Sequence, residues 1–143
     1  MKRSAGVLMP ISSLPSKYGI GTLGKGARDF IDFLEKSGQT YWQVLPIGPT
    51  GYGDSPYQSF SSNAGNPYFI DLDDLCDEGY LEKEEYVNEN YGTDVNCVDY
   101  AQIYNTRFTV LRKAVERLSA VQTEDYLSFL RDNAYWLNDY ALF

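Results

Sequence analysis

Two apolar runs flanking one amphipathic stretch, all within the first 47 residues, limit this chain's fold more than any other feature. Residues 5–11, AGVLMPI, form a short apolar run bounded by SSLPS, the pattern of a buried strand of parallel-sheet type. Ala27, Phe30, Ile31 and Leu34 then recur at helical spacing, and the pattern stops at Ser37-Gly38, a helix C-terminal signal. Residues 41–47, YWQVLPI, read as a second buried strand and end at Gly48-Pro49. Strand, helix and strand in this span make a βαβ unit, which implies parallel strands and a right-handed crossover.

The next stretch, residues 48–67, is rich in Gly, Pro, Ser, Asn and Tyr. Loops of this length without regular structure are uncommon in compact domains and are usually functional or disordered. Tyr52, Tyr57, Phe60 and the following Tyr68 are the residues that disordered segments lack, so an ordered binding loop is expected. Residues 68–72, YFIDL, read as a third strand or an extended segment. From Asp73 the chain turns acidic and helical. Tyr104, Phe108, Leu111, Val115 and Leu118 step by four and three along one apolar face. Thr123 is placed to cap a further helix, on which Leu127, Leu130, Ala134, Leu137 and Ala141 keep the same spacing. The closing NDYALF has no glycine stop and no basic last turn, and reads as part of a longer protein.

GIGTLG at 19–24 fits a dinucleotide fingerprint, and residues 19–25 fit the start of a P-loop. Both lack their context. Residues 12–18, with Pro15, separate the run from the strand, and VLPI at 44–47 offers no acidic residue for a ribose. Gly26 stands where a P-loop needs Ser or Thr for Mg²⁺. The glycines read instead as backbone freedom, with positive φ and close turns into a helix starting near Lys25.

The chemistry available is narrow. The chain has no histidine, which removes Ser-His-Asp and Cys-His nucleophiles and histidine metal sites. Cys76 and Cys97 form no C-x-x-C motif and have no zinc-ligand partners; with no secretory leader pattern they read as reduced, cytoplasmic thiols. No residue pattern calls for a metal or a cofactor. A formal charge of −8 argues against a nucleic-acid partner, and no apolar run is long enough to span a membrane. The basic residues from Arg107 to Arg117 are interleaved along a helix, as on a solvated face. Asp71, Asp73, Asp74 and Asp77 fit no calcium-loop spacing and read as a solvated acidic corner.

Sugars are recognised by flat aromatic faces against their C–H faces and by dense hydrogen bonding to their hydroxyls. The loop supplies both, with Tyr52, Tyr57 and Phe60 among Asp54, Ser55, Gln58, Ser59, Ser61 and Asn63. From the residues alone, local packing of these aromatics and polar turn-making explain the composition equally well.

PISSLPSKYGIGTLG and GPTGYGDSPYQSFSSNAGNPYFIDL closely resemble the opening segment of the amylomaltase or 4-α-glucanotransferase family. The resemblance covers residues 5–75, and it extends more loosely over 76–143 through AYWLNDYALF. It implies an α/β fold that is part of a (β/α)₈ TIM barrel. Residues 1–75 would hold the first strands and the active-site loop, and 76–143 a helical insertion truncated at its C-terminal end. The implied reaction is retaining transfer of α-1,4-glucan segments between malto-oligosaccharides through a carboxylate nucleophile and a carboxylic acid. By motif, Tyr57 of GDSPY would line the −1 glucose subsite, with Ser55 and Asp54 beside it, contacting sugar or holding the loop. Tyr52 would belong to a secondary glucan-binding surface. No acidic residue here matches the family's catalytic pair, so none is assigned as catalytic and the isolated chain is expected to be inactive. The alternative is a non-catalytic malto-oligosaccharide-binding module. An incomplete barrel exposes strand edges, so self-association or domain swapping is also expected.

Overall fold

A computed structural model describes residues 3–121 and 123–143. Its element order is β1 (Gly6–Leu8), α1 (Lys25–Lys36), β2 (Tyr41–Gln43), α2 (Leu72–Asp77), α3 (Tyr100–Val121), α4 (Glu124–Asp132) and α5 (Ala134–Leu142), with short 3₁₀ turns between. The architecture is α/β. β1 and β2 pair in parallel, with Gly6 opposite Tyr41, Val7 opposite Trp42 and Leu8 opposite Gln43. α1 lies between them in sequence, as the crossover requires.

Both strands are shorter than the apolar runs suggested, and they are not buried. Leu8 is 54% exposed and Tyr41 64%. The two-stranded sheet packs through Trp42, whose ring meets Phe30 of α1 edge-on at 5.1 Å and whose Nε1 donates to the Met9 carbonyl at 2.8 Å. Ile11, Leu14 and Ala27 complete this small core. The remaining strand faces have no partner among the described residues, which is why apolar runs typical of buried strands are left open. α1 ends as expected, with Ser37 as its C-cap and Gly38 at φ 70°. Its Ile31, though on the expected apolar face, is exposed.

The larger core lies between α3 and the segments on either side of α2. Its register on α3 differs from the expected face. Ile103, Arg107, Val110 and Ala114 are buried, whereas Tyr104 and Val115 are each 60% exposed. Leu111 is the one residue of the expected set that is buried. The reason is Arg107: its guanidinium donates to the Tyr18 carbonyl at 3.3 Å and the Ile70 carbonyl at 2.5 Å, and this pulls a polar position into the seam. Burial pushes that guanidinium down to about 10. The basic residues of α3 are therefore not simply a solvated face; Arg117 in turn pairs bidentately with Glu85, at 2.7 and 3.1 Å.

Residues 68–72 form no strand; only Ile70 and Asp71 are extended, between a 3₁₀ turn and α2. Pro67–Phe69 is a 3₁₀ turn capped by the Asn66 side chain, and Asp71 caps α2 by accepting from the amides of Asp73 and Asp74. The acidic run is solvated at Asp73 and Asp77, which are exposed, but it also makes specific bonds. Asp73 Oδ1 accepts both the Tyr18 hydroxyl at 2.6 Å and the Tyr86 hydroxyl at 2.8 Å, and Asp74 pairs with Arg28. Burial first, then the Asp73 carboxylate, pushes both phenols well above the usual tyrosine range.

Thr123 caps α4 as expected, accepting from Tyr126 N. The continuous helix expected after it breaks at Asn133. That side chain donates to the Phe129 carbonyl at 2.9 Å and accepts from the Trp136 indole at 3.0 Å, closing α4 and opening α5.

Candidate functional site

The loop 48–67 is ordered by two β-turns set back to back. In the first, Asp54 N donates to Gly51 O at 3.1 Å, and Gly53, third in the turn, has φ 95°, as a type II turn requires. In the second, Gln58 N donates to Ser55 O at 3.0 Å, and Pro56 supplies the fixed φ favoured at the second position. A bridge between Thr50 and Ser59 closes the pair into a hairpin. Tyr52 and Tyr57 sit at the corners of these turns, so their side chains project outward, fully exposed and 74% exposed respectively.

The four residues singled out from the sequence thus lie on one hairpin, though not in one cavity. Tyr57 borders a groove of about 430 Å³, with Pro46, Pro56, Ser59, Ser61 and Asn63. Tyr52 and Asp54 border a separate cleft of about 440 Å³. Ser55 serves the second turn, its hydroxyl accepting from Tyr57 N at 3.4 Å. Asp54 joins the two turns at φ 54°, and its carboxylate accepts from the Thr50 hydroxyl at 3.3 Å.

The cleft beside Tyr52 has walls that motif reading missed. Tyr68, Tyr104 and Phe108 form one side, and Phe60 and Tyr140 another. Tyr104 meets Phe108 edge-on at 5.2 Å, and Phe60 stacks on Tyr140 at 6.2 Å. α5 thereby backs the loop. Tyr104 and Phe108 belong to the apolar periodicity of α3, which by itself does not distinguish a ligand wall from a packing face. Thr50, Asp54 and Asn66 add a hydroxyl, a carboxylate and an amide to this aromatic lining. Burial, with the Asp54 charge second, pushes the Tyr68 phenol up to about 12, and the same two causes raise Tyr100. Aromatic faces beside a few convergent polar groups suit a neutral polyol.

The glycine run serves packing. Of its four glycines only Gly19 has positive φ, at 78°. Gly24, the N-cap of α1, leaves room for the Asp71 carboxylate, which also accepts from the Thr22 hydroxyl. The run thus lets α1 approach the cap of α2 closely. Among the described residues no group of three or more His, Cys, Asp or Glu is arranged to hold a metal ion.

Residues 9–143 match the family Glyco_hydro_77, described as 4-alpha-glucanotransferase. A 4-alpha-glucanotransferase of Clostridium butyricum is 53% identical over 135 residues, 94% of this chain and 28% of the relative. The Thermus thermophilus 4-alpha-glucanotransferase is 47% identical over 147 residues, covering 100% of this chain and 28% of that protein. Amylomaltase from Streptococcus agalactiae, solved in complex with acarbose, superposes with a TM-score of 0.89 at 45% identity, over 98% of this chain and 28% of its own. The chain thus spans little more than a quarter of the length of the relatives it matches. It belongs to the 4-alpha-glucanotransferase family.

Proposed function

We propose that this chain forms part of the sugar-binding machinery of a 4-α-glucanotransferase, which transfers α-1,4-glucan segments between malto-oligosaccharides with retention. The observation that carries the reading is the double-turn hairpin, which holds Tyr57 outward beside a polar groove. Tyr57 lines the −1 glucose subsite with Ser55 and Asp54 beside it, and Tyr52 with its aromatic cleft takes a second stretch of glucan. The acarbose bound to the related amylomaltase supports this substrate class.

The chain itself binds and does not supply the reacting carboxylates. Asp71, Asp73, Asp74 and Glu85 are committed to a helix cap, two tyrosines and two arginines. β1, α1 and β2 are the first βαβ unit of a (β/α)₈ barrel, with 76–143 as its helical insertion; the parallel register and open strand faces support this. Those open faces also favour self-association of the chain. The free thiols of Cys76 and Cys97 suit a reducing, cytoplasmic setting.

Titrating acarbose into the ¹⁵N-labelled chain tests the reading. Shifts confined to the hairpin and its two clefts are expected. A spectrum unchanged at saturating acarbose would defeat it.

A further inference from the structure

Among the described residues, Asp54 is the one non-glycine residue with positive φ, at 54°. L-residues rarely take this conformation, and Asp and Asn tolerate it better than most. The residue stands at the joint of the two turns. Its amide closes the first turn onto Gly51 O at 3.1 Å, and the next residue, Ser55, opens the second. Its carboxylate reaches back to the Thr50 hydroxyl at 3.3 Å, beside the Thr50–Ser59 bridge that seals the hairpin. Backbone and side chain of one residue therefore tie the start of the hairpin to its midpoint. Tyr57 has no comparable anchor. It is 74% exposed, and its amide meets only the Ser55 hydroxyl, at 3.4 Å. The relative angle of the two turns sets the backbone position from which its ring projects.

We propose that Asp54 is a positioning residue: its left-handed backbone and its bond to Thr50 set the angle between the turns and hold Tyr57 where a glucose ring meets it, without Asp54 itself touching that ring. This rests on the glucan-binding reading. It assigns the carboxylate to the Thr50 side of the hairpin, in the wall of the Tyr52 cleft and not in the groove bordered by Tyr57. Two substitutions separate the parts of the role. Asp54→Gly accepts the backbone conformation without strain but removes the bond to Thr50. Asp54→Asn tolerates the conformation and keeps an oxygen for the Thr50 hydroxyl, while removing the charge.

The experiment measures the ¹⁵N order parameter of the Tyr57 amide and the acarbose dissociation constant in the unsubstituted chain and both variants. For Asp54→Gly the order parameter is expected to fall from a rigid value near ~0.85 to below ~0.6. Acarbose should bind it roughly tenfold more weakly, a loss of about 1.4 kcal/mol. Asp54→Asn should restore both. Weaker acarbose binding with Tyr57 still rigid would mean that Asp54 contacts the sugar, and would overturn the proposal. A mobile Tyr57 with unchanged affinity, or an Asn variant as weak as the Gly variant, would overturn it too. Failure of the unsubstituted chain to bind acarbose would defeat the glucan reading and the positioning role together, and that titration alone distinguishes the two failures.

Discussion

The Asp71 carboxylate lies in the space that a side chain at Gly24 would occupy, well inside van der Waals contact of a β-carbon built there. The same carboxylate caps α2 and accepts the Thr22 hydroxyl, so α1 and α2 meet through one residue. Gly24→Ala is expected to displace it and cost about 2–4 kcal/mol, the sum of a lost cap, a lost hydrogen bond and steric strain. Urea denaturation checks this; a loss below about 1 kcal/mol would mean that Asp71 is free to move aside.

Arg107 is fully buried, donates to two backbone carbonyls and leaves its Nε without a partner. Truncation to Ala would leave a cavity and two unsatisfied carbonyls, at a cost of about 3–5 kcal/mol. Arg107→Met fills the space without the buried charge and should cost clearly less. Equal losses for the two variants would show that the hydrogen bonds, not the volume, dominate.

Arg117 beside Glu85, aided by the Glu82 amide, holds the Glu85 carboxyl down at about 2, against an ordinary value of 4.5. A depressed carboxyl contributes stability above its unfolded value and loses it as the pH falls through the folded one. The stability of the chain should therefore decline between about pH 4.5 and 2, and Glu85→Gln should make that limb shallower, the remainder coming from Asp74, which Arg28 also holds down. Thermal melts from pH 7 to 2 measure it.

Tyr57→Ala removes an exposed ring, so folding stability should change by less than about 0.5 kcal/mol. Acarbose affinity should fall at least roughly tenfold, in keeping with the loss of an aromatic anchor. A loss of affinity accompanied by unfolding would point instead to a packing role.

Maltotriose incubated with the folded chain should be recovered unchanged by chromatography. Glucose together with longer malto-oligosaccharides would show that a complete catalytic site exists among these residues after all.

The parts of the fold that could be read in advance are those coded by neighbours in sequence. The βαβ order, the Ser37-Gly38 stop and the Thr123 cap each depend on residues within one or two turns of one another. The errors arise where a distant partner decides, or where a single local cap overrides the apolar pattern. Arg107 enters the core of α3 because carbonyls at positions 18 and 70 await it, and no helical period records that. YFIDL looks like a strand until Asn66 and Asp71 are seen capping its two ends. Asn133 breaks a helix whose leucine spacing runs through it undisturbed, because its side chain closes both halves. At the candidate site, the hairpin aromatics stood out by composition. Tyr104, Phe108 and Tyr140 did not, since they join the cleft from α3 and α5.

The bond from Arg107 to Tyr18 spans 89 positions of chain. Closing a loop of that size costs about 4 kcal/mol in chain entropy beyond the constant term, so the contact forms late in folding. On a ribosome adding roughly 5–20 residues per second, the Tyr18 segment waits about 4–18 s after its own synthesis before Arg107 exists. Throughout that interval the nascent chain holds Tyr18 and Ile20, joined later by Tyr68, without the helix that encloses them, and exposes them to whatever binds unfinished apolar surface.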